Sequence, residues 1–174
     1  MVGPLVVTDH RVTAAEQWAY ATRDCVPDAY RLAGYLLGDA AEAQDAVQDA
    51  LVKAWRNWSS LRQLESFGPW FDRILVNVCR DRMRRHRNVR IVDLEAAGDV
   101  ESDDVFGAMF DGHRVAAAVA RLSPDRRVVI VLRYWRDMSL EQIAQTLDLP
   151  LGTVKTRLYT SLRALEADLA RDEK

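Results

Sequence analysis

Apolar residues recur along the chain at helical spacing, and the clearest run is 139–165, SLEQIAQTLDLPLGTVKTRLYTSLRAL. Ser139 followed three residues later by Gln142 has the spacing of a helix-capping box, after which Ile143 and Leu147 share one face. Residues 148–150 break the pattern. Pro150 suits the first turn of a second helix, whose buried stripe is Leu151, Val154, Leu158, Leu162 and Leu165. Gly152, Thr156, Tyr159 and Arg163 fall on the opposite side, with Lys155 at its edge. This mixed, non-acidic face suits a DNA major groove, although two helices joined this way also make a plain helical hairpin.

Upstream, residues 1–20 read as a loosely ordered tail. Helical spacing begins before Tyr30, runs through Leu32, Ala33, Leu36 and Leu37, and stops at Gly38, a natural residue for a helix C-terminus. Asp39 and Glu42 restart it with cap spacing. The helix that follows places Val47, Leu51, Ala54, Trp55 and Trp58 on a stripe expected to be core, with Asp45, Gln48 and Asp49 together on the outer face.

After a break at 61–68, Pro69 opens PWFDRILVNVCRDRMRRHR, with Phe71, Ile74, Leu75 and Val78 on its apolar side. At about 100° per residue, Arg73, Asn77, Arg80, Arg84 and Arg87 fall in one narrow sector opposite. Surface helices usually mix charge signs along a face, so this row is either a solvated basic face or, the favoured reading, a polyanion track. Asn77 is suited to a base edge and the guanidiniums to phosphates. Trp70, at the flank of the row, is either core, the favoured reading, or a ring that stacks on an unpaired base.

Residues 91–112 change character, holding seven acidic residues from Asp93 to Asp111 and no lysine or arginine, as a linker would. Helical spacing then returns with Val115, Val119 and Leu122. Ser123 and Pro124 form an N-cap and first-turn pair for a helix burying Val128, Val131, Leu132 and Trp135, with Arg133 and Arg136 emerging near its end. The pattern therefore predicts an all-α chain of two small helical domains joined by an acidic flexible linker. The expected divisions are a tail at 1–20, a first domain at 21–90, the linker at 91–113 and a helix-turn-helix domain at 114–174.

Composition sharpens this picture in one respect. The formal net charge is only -2, because the acidic linker offsets the arginines on either side of it. Cys25 and Cys79 lie far apart without a CxxC, and His10, His86 and His113 are isolated, so reduced thiols and no metal site are expected. No signal peptide or membrane span is evident, which points to the cytoplasm and against membrane insertion. Phosphate-loop, HExxH and GxSxG patterns are missing, so no catalytic residue, cofactor or enzymatic activity is expected.

Taken in order, the pieces resemble an extracytoplasmic-function (ECF) sigma factor of bacterial RNA polymerase, in the sigma-70 family, over about residues 30–169. DAVQDALVKAWRNW is similar to the region-two helix that docks on the polymerase clamp, and FGPWFDRILVNVCRDRMRRHR to the helix that melts and reads the minus-ten element. SLEQIAQTLDLPLGTVKTRL is similar to the region-four reader of the minus-thirty-five element. The resemblance implies that Asp45, Gln48 and Asp49 face core polymerase, and that Arg73, Asn77, Arg80, Arg84 and Arg87 engage minus-ten DNA, with the loop at 61–68 holding a flipped base. It also implies minus-thirty-five contacts from Arg133, Gly152, Thr153, Lys155, Thr156, Arg157, Tyr159 and Arg163. Further implications are core polymerase and promoter DNA as partners, an anti-sigma factor, a monomer when free, and a linker threading the channel later used by RNA. Thr160 and Leu162 stand where the family commonly has basic residues, and Asp148 where it often has Gly. The alternative is a helix-turn-helix regulator that binds an operator without polymerase.

Overall fold

The computed structural model describes the backbone of residues 13–92 and 113–171 and the side chains of 13–86 and 114–171. The expected path of the acidic linker, the Arg87 side chain and the first twelve residues lie outside the described residues. Among the described residues the chain is all-α: α1 (Ala14–Leu37), α2 (Ala40–Arg56), α3 (Phe67–Val92), α4 (His113–Arg121), α5 (Pro124–Tyr134), α6 (Leu140–Leu147) and α7 (Leu151–Arg171). Short 3-10 turns at Trp58–Ser60 and Leu64–Ser66 fill the loop between α2 and α3.

The first helix begins earlier than its apolar spacing suggested, inside the stretch read as a tail. Thr13 caps it: the Thr13 hydroxyl accepts from the Glu16 amide at 3.2 Å, and the Glu16 carboxylate accepts from the Thr13 amide at 2.7 Å. This reciprocal box satisfies two amides that a helix start leaves unpaired. The added turns are anchored by Trp18, whose ring meets Trp55 and Trp58 edge-on with centroids 5.2 Å away, and Phe67 at 5.8 Å. Pro27 sits inside the helix, where it withholds the amide that the Arg23 carbonyl would otherwise accept from. At the other end Gly38 takes φ 74°, a left-handed conformation that costs glycine little, and donates to the Gly34 carbonyl at 2.7 Å. Asp39 then caps α2 by accepting from the Glu42 amide at 2.7 Å.

α1, α2 and α3 pack on one another. The buried stripe of α2 is Ala43, Ala46, Val47, Ala50 and Ala54, and these small residues let its neighbours approach closely. Trp55, expected in the core, is 49% exposed. It stands about 100° around the helix from Ala54, at the edge of the stripe rather than on it. In α3, Phe71, Leu75, Val76, Val78 and Cys79 are buried, and Phe67 stacks on Phe71 at 5.5 Å. Trp70 is partly buried and packs against this core.

In the second half α5 lies against α4, α6 and α7. Five consecutive residues of it, Val128 to Leu132, are fully buried, two more than the periodicity assigned to its core face. A helix that is apolar all round must be covered all round. The remaining cover comes from the first half, since α5 also lies against α1 and α3, and α6 against α3. In α7, Val154 is buried as expected, but Leu162 is 40% exposed. Its place is taken by the fully buried Ser161, whose hydroxyl donates to the Arg157 carbonyl at 2.6 Å and so carries no unpaired polar group into the core.

Candidate nucleic-acid and protein interface

Three surfaces carry the residues singled out above. On α2, Asp45, Gln48 and Asp49 are exposed on one face. Val52, 50% exposed, continues that face one turn on, and Trp55 flanks it. An apolar pair thus stands exposed beside an acidic set. Sequence reasoning missed both residues, although the wheel angle of Trp55 carried the signal. The acidic side is held in register by Arg82 of α3, which donates to Glu42 at 2.8 Å and Asp49 at 2.7 Å, while His86 Nε2 lies 3.5 Å from Glu42.

The arginine row of α3 is not uniformly open. Arg73, Asn77 and Arg84 are exposed. The side chain of Arg80 is only 12% exposed, which corrects the expectation of a clear outward face. The cause is Asp125 at the start of α5. Arg80 donates to its Oδ1 at 3.1 Å, Arg84 donates to both its oxygens at 2.9 and 3.1 Å, and Arg157 of α7 approaches to 3.8 Å. Burial alone would raise the Asp125 carboxyl, but the Arg80 hydrogen bond and the charges of Arg84, Arg157 and Arg80 together hold it below its ordinary value. Further along, Arg73 lies 3.9 Å from Asp148.

Two more arginines cross between the halves. Arg136 donates to Asp72 Oδ1 at 2.6 Å, lies 3.6 Å from Asp28, and sits over the Trp135 ring at 5.3 Å. Burial pushes the Asp72 carboxyl up, opposed by the Arg136 hydrogen bond and charge. Arg127 donates to the Leu36 carbonyl of α1 at 2.9 Å, to the Ala120 carbonyl near the end of α4 and to the Leu122 carbonyl just beyond it. Burial lowers its guanidinium to about 10. Beside Arg136 and the 61–68 loop opens a cavity of about 340 Å³, lined by Tyr20, Asp24, Cys25, Asp28, Leu64, Phe67 and Gly68 among others. Cys25 and Cys79 are free thiols, pushed up by burial to about 11 and about 12, so both stay protonated near neutral pH.

The third surface belongs to the helix-turn-helix. Ser139 and Gln142 form the expected capping box, the Gln142 amide donating to Ser139 Oγ at 3.2 Å and the Ser139 amide to Gln142 Oε1 at 2.7 Å. Asp148 ends α6 at φ 54°, the left-handed conformation for which glycine is the usual residue. Gly152, Lys155, Thr156, Tyr159 and Arg163 are exposed together on α7, Tyr159 by 63%. A side chain at Gly152 would meet nothing within 4 Å, so the start of this face is open. Thr153 is half-buried, and Arg157 turns inward toward Asp125. Arg133 donates to the Met138 carbonyl at 2.9 Å and so braces the turn before α6.

An exposed reading helix behind a tight turn, paired with a second helical unit that carries a basic face and an acidic one, defines a DNA-binding regulator with a protein partner. Comparison with known proteins narrows the class. The family profile described as sigma-70 region 2 matches residues 22–89, and that for sigma-70 region 4 matches 113–165. The chain is 34% identical over 160 residues to the ECF RNA polymerase sigma factor SigL of Mycobacterium tuberculosis, covering 90% of this chain and 84% of that one. It is 31% identical over 153 residues to the ECF RNA polymerase sigma factor SigW of Bacillus subtilis, covering 80% and 82%. Among solved structures, the sigma factor RpoE bound to the anti-sigma factor NepR from Bartonella quintana superposes with a TM-score of 0.68 at 25% identity, over 89% of this chain and 98% of that one. CnrH in complex with the cytosolic domain of CnrY shares the fold, with a TM-score of 0.62 at 24% identity, over 89% and 88%. The chain belongs to the ECF sigma factors of the sigma-70 family: it binds core RNA polymerase and directs promoter recognition and transcription initiation.

Proposed function

We propose that the outer face of α2, Asp45, Gln48 and Asp49 extended by Val52 and Trp55, docks on core polymerase, and that α3 captures the minus-ten element as it melts. In this reading Asn77 takes a base edge, Arg73, Arg80, Arg84 and Arg87 take phosphates, and the cavity beside residues 61–68 receives an unstacked base. Gly152, Thr153, Lys155, Thr156, Tyr159 and Arg163 read the minus-thirty-five element. Arg133 supports that helix by bracing the turn, and Arg157 reaches DNA only when it leaves Asp125. Opening a duplex costs roughly 1–2 kcal/mol per base step, so the separated strand must return that energy through base capture and phosphate contacts.

We take residues 21–90 and 114–174 as the working units. Each binds its element weakly, and the pair gains from effective concentration once polymerase holds both. Catalysis stays with the polymerase, and work on promoter DNA places the chain in the cytoplasm, as a monomer when free. The likeness to the sigma factor RpoE solved in complex with the anti-sigma factor NepR supports adding an anti-sigma partner that covers these surfaces.

The observation that carries this reading is that one unit exposes an acidic and apolar face on α2 and a basic face on α3 as separate surfaces, so it can hold a protein and a nucleic acid at once. Transcription reconstituted with core polymerase, with start sites mapped, tests it. The parent should direct specific initiation, and Asp45→Arg with Asp49→Arg should abolish core binding while leaving the helical content intact. Unchanged core binding by that double variant would refute the docking face.

A further inference from the structure

The Asp125 carboxylate holds arginines from both promoter-reading helices. Arg80 and Arg84 reach it from α3 and Arg157 from α7, at 3.1, 2.9 and 3.8 Å. Two acceptor oxygens hydrogen-bonded by two guanidiniums, with a third 3.8 Å away, reproduce what a phosphate diester offers to the same donors. The consequence is steric as well as electrostatic. Elements at minus ten and minus thirty-five lie about 25 base pairs apart, roughly 85 Å of duplex axis. Two helices that share one carboxylate cannot reach both at once.

We propose that Asp125 is an internal phosphate mimic: it closes the two halves of the free chain on each other, occupies the arginines that would otherwise bind DNA, and is displaced when promoter phosphates take its place. The inference rests on the reading of Arg80 and Arg84 as DNA contacts.

The rest of the junction sets charged contacts around the apolar run of α5 that α1 and α3 cover. It is rich in charge, with Arg136 on Asp72 and Asp28, Arg127 on the Leu36 carbonyl and Arg73 near Asp148, and its aromatic contact is Tyr35 edge-on to Trp135 at 4.9 Å. Arg80 Nε, Arg127 Nε, Arg136 Nε and Arg157 Nη1 are buried there without an acceptor among the described residues. Unpaired buried donors weaken a closed state relative to an open one in which water or phosphate pairs them. Charge-rich contacts between domains are also those that yield to salt.

The test compares the full chain with Asp125→Asn and Asp125→Ser, the serine keeping a short polar side chain at the start of α5. Asp168→Asn serves as the charge control, since its carboxylate pairs with Arg121 at 2.6 Å away from the junction. Small-angle scattering reads opening without reference to DNA, and fluorescence anisotropy with a labelled single-stranded oligonucleotide of mixed sequence reads access to the arginines. If closure hides the site in about nine chains of ten, either Asp125 variant should bind about tenfold tighter and show a larger radius of gyration, while Asp168→Asn changes neither. Equal gains for Asp168→Asn and the Asp125 variants overturn the proposal, as does opening without tighter binding, or no change at all. The underlying reading fails separately: it is lost if Arg84→Gln supports polymerase-directed transcription like the parent.

Discussion

At the residue scale, the two buried or half-buried aspartates that hold the halves together behave oppositely. Asp125 has a folded-state carboxyl below its ordinary value of 3.8, so the stability it contributes is complete above that value and is lost as pH falls through the lower, folded value. Asp72 is raised, so it takes up its proton earlier in an acid titration and frees Arg136 first. The melting temperature of the parent should therefore exceed that of Asp125→Asn near pH 7, and the gap should close only below pH 3.8. A gap that does not change between pH 7 and pH 2.5 would show that the carboxylate's charge contributes nothing. Asp148 is the residue-scale oddity. Its backbone takes the left-handed conformation for which glycine is the usual residue, and the short polar side chain makes that tolerable.

At the element scale, the difference between a core aromatic and an exposed one decides what a substitution does. Phe71 is fully buried and stacked on Phe67, whereas Trp55 leans on Trp18 with half its surface open. Phe71→Ala should cost about 3–5 kcal/mol of folding stability by urea unfolding, the usual range for emptying an aromatic site. Trp55→Ala should cost about 1 kcal/mol or less, on the scale of one edge-on ring pair, yet weaken core-polymerase binding measurably in a pull-down titration. A Trp55 variant with parental polymerase affinity would remove it from the docking face. Helix α5 teaches the complementary lesson. Val128 to Leu132 form an unbroken apolar run, and that run was the sequence's own notice that cover would come from two sides.

At the scale of the whole molecule, Arg127 is the group on which both halves converge. Its guanidinium spans the C-terminal carbonyls of α1 and the chain beyond α4, and is buried enough to lower it to about 10. Arg127→Met keeps most of the packing volume but leaves those carbonyls without a donor. It should lower unfolding stability by about 2–3 kcal/mol, in the range for hydrogen bonds from a charged group, as measured by urea denaturation. A loss under half a kcal/mol would mean that water replaces the guanidinium without penalty.

The sequence by itself determined the helices and which residues share their outer faces. The capping pairs at Ser139 and Gln142 and at Asp39 and Glu42, the stop at Gly38, and the shared faces of Asp45 with Asp49 and of Gly152 with Arg163 all depend on neighbours within two turns, whose spacing a linear chain records directly. Only the tertiary structure decided that Leu162 slips out of its stripe and that the arginine row meets a carboxylate. Asp125 finds Arg80 across 45 residues and Arg136 finds Asp72 across 64. Such pairings are set by how helix faces pack in three dimensions, and no local periodicity encodes them.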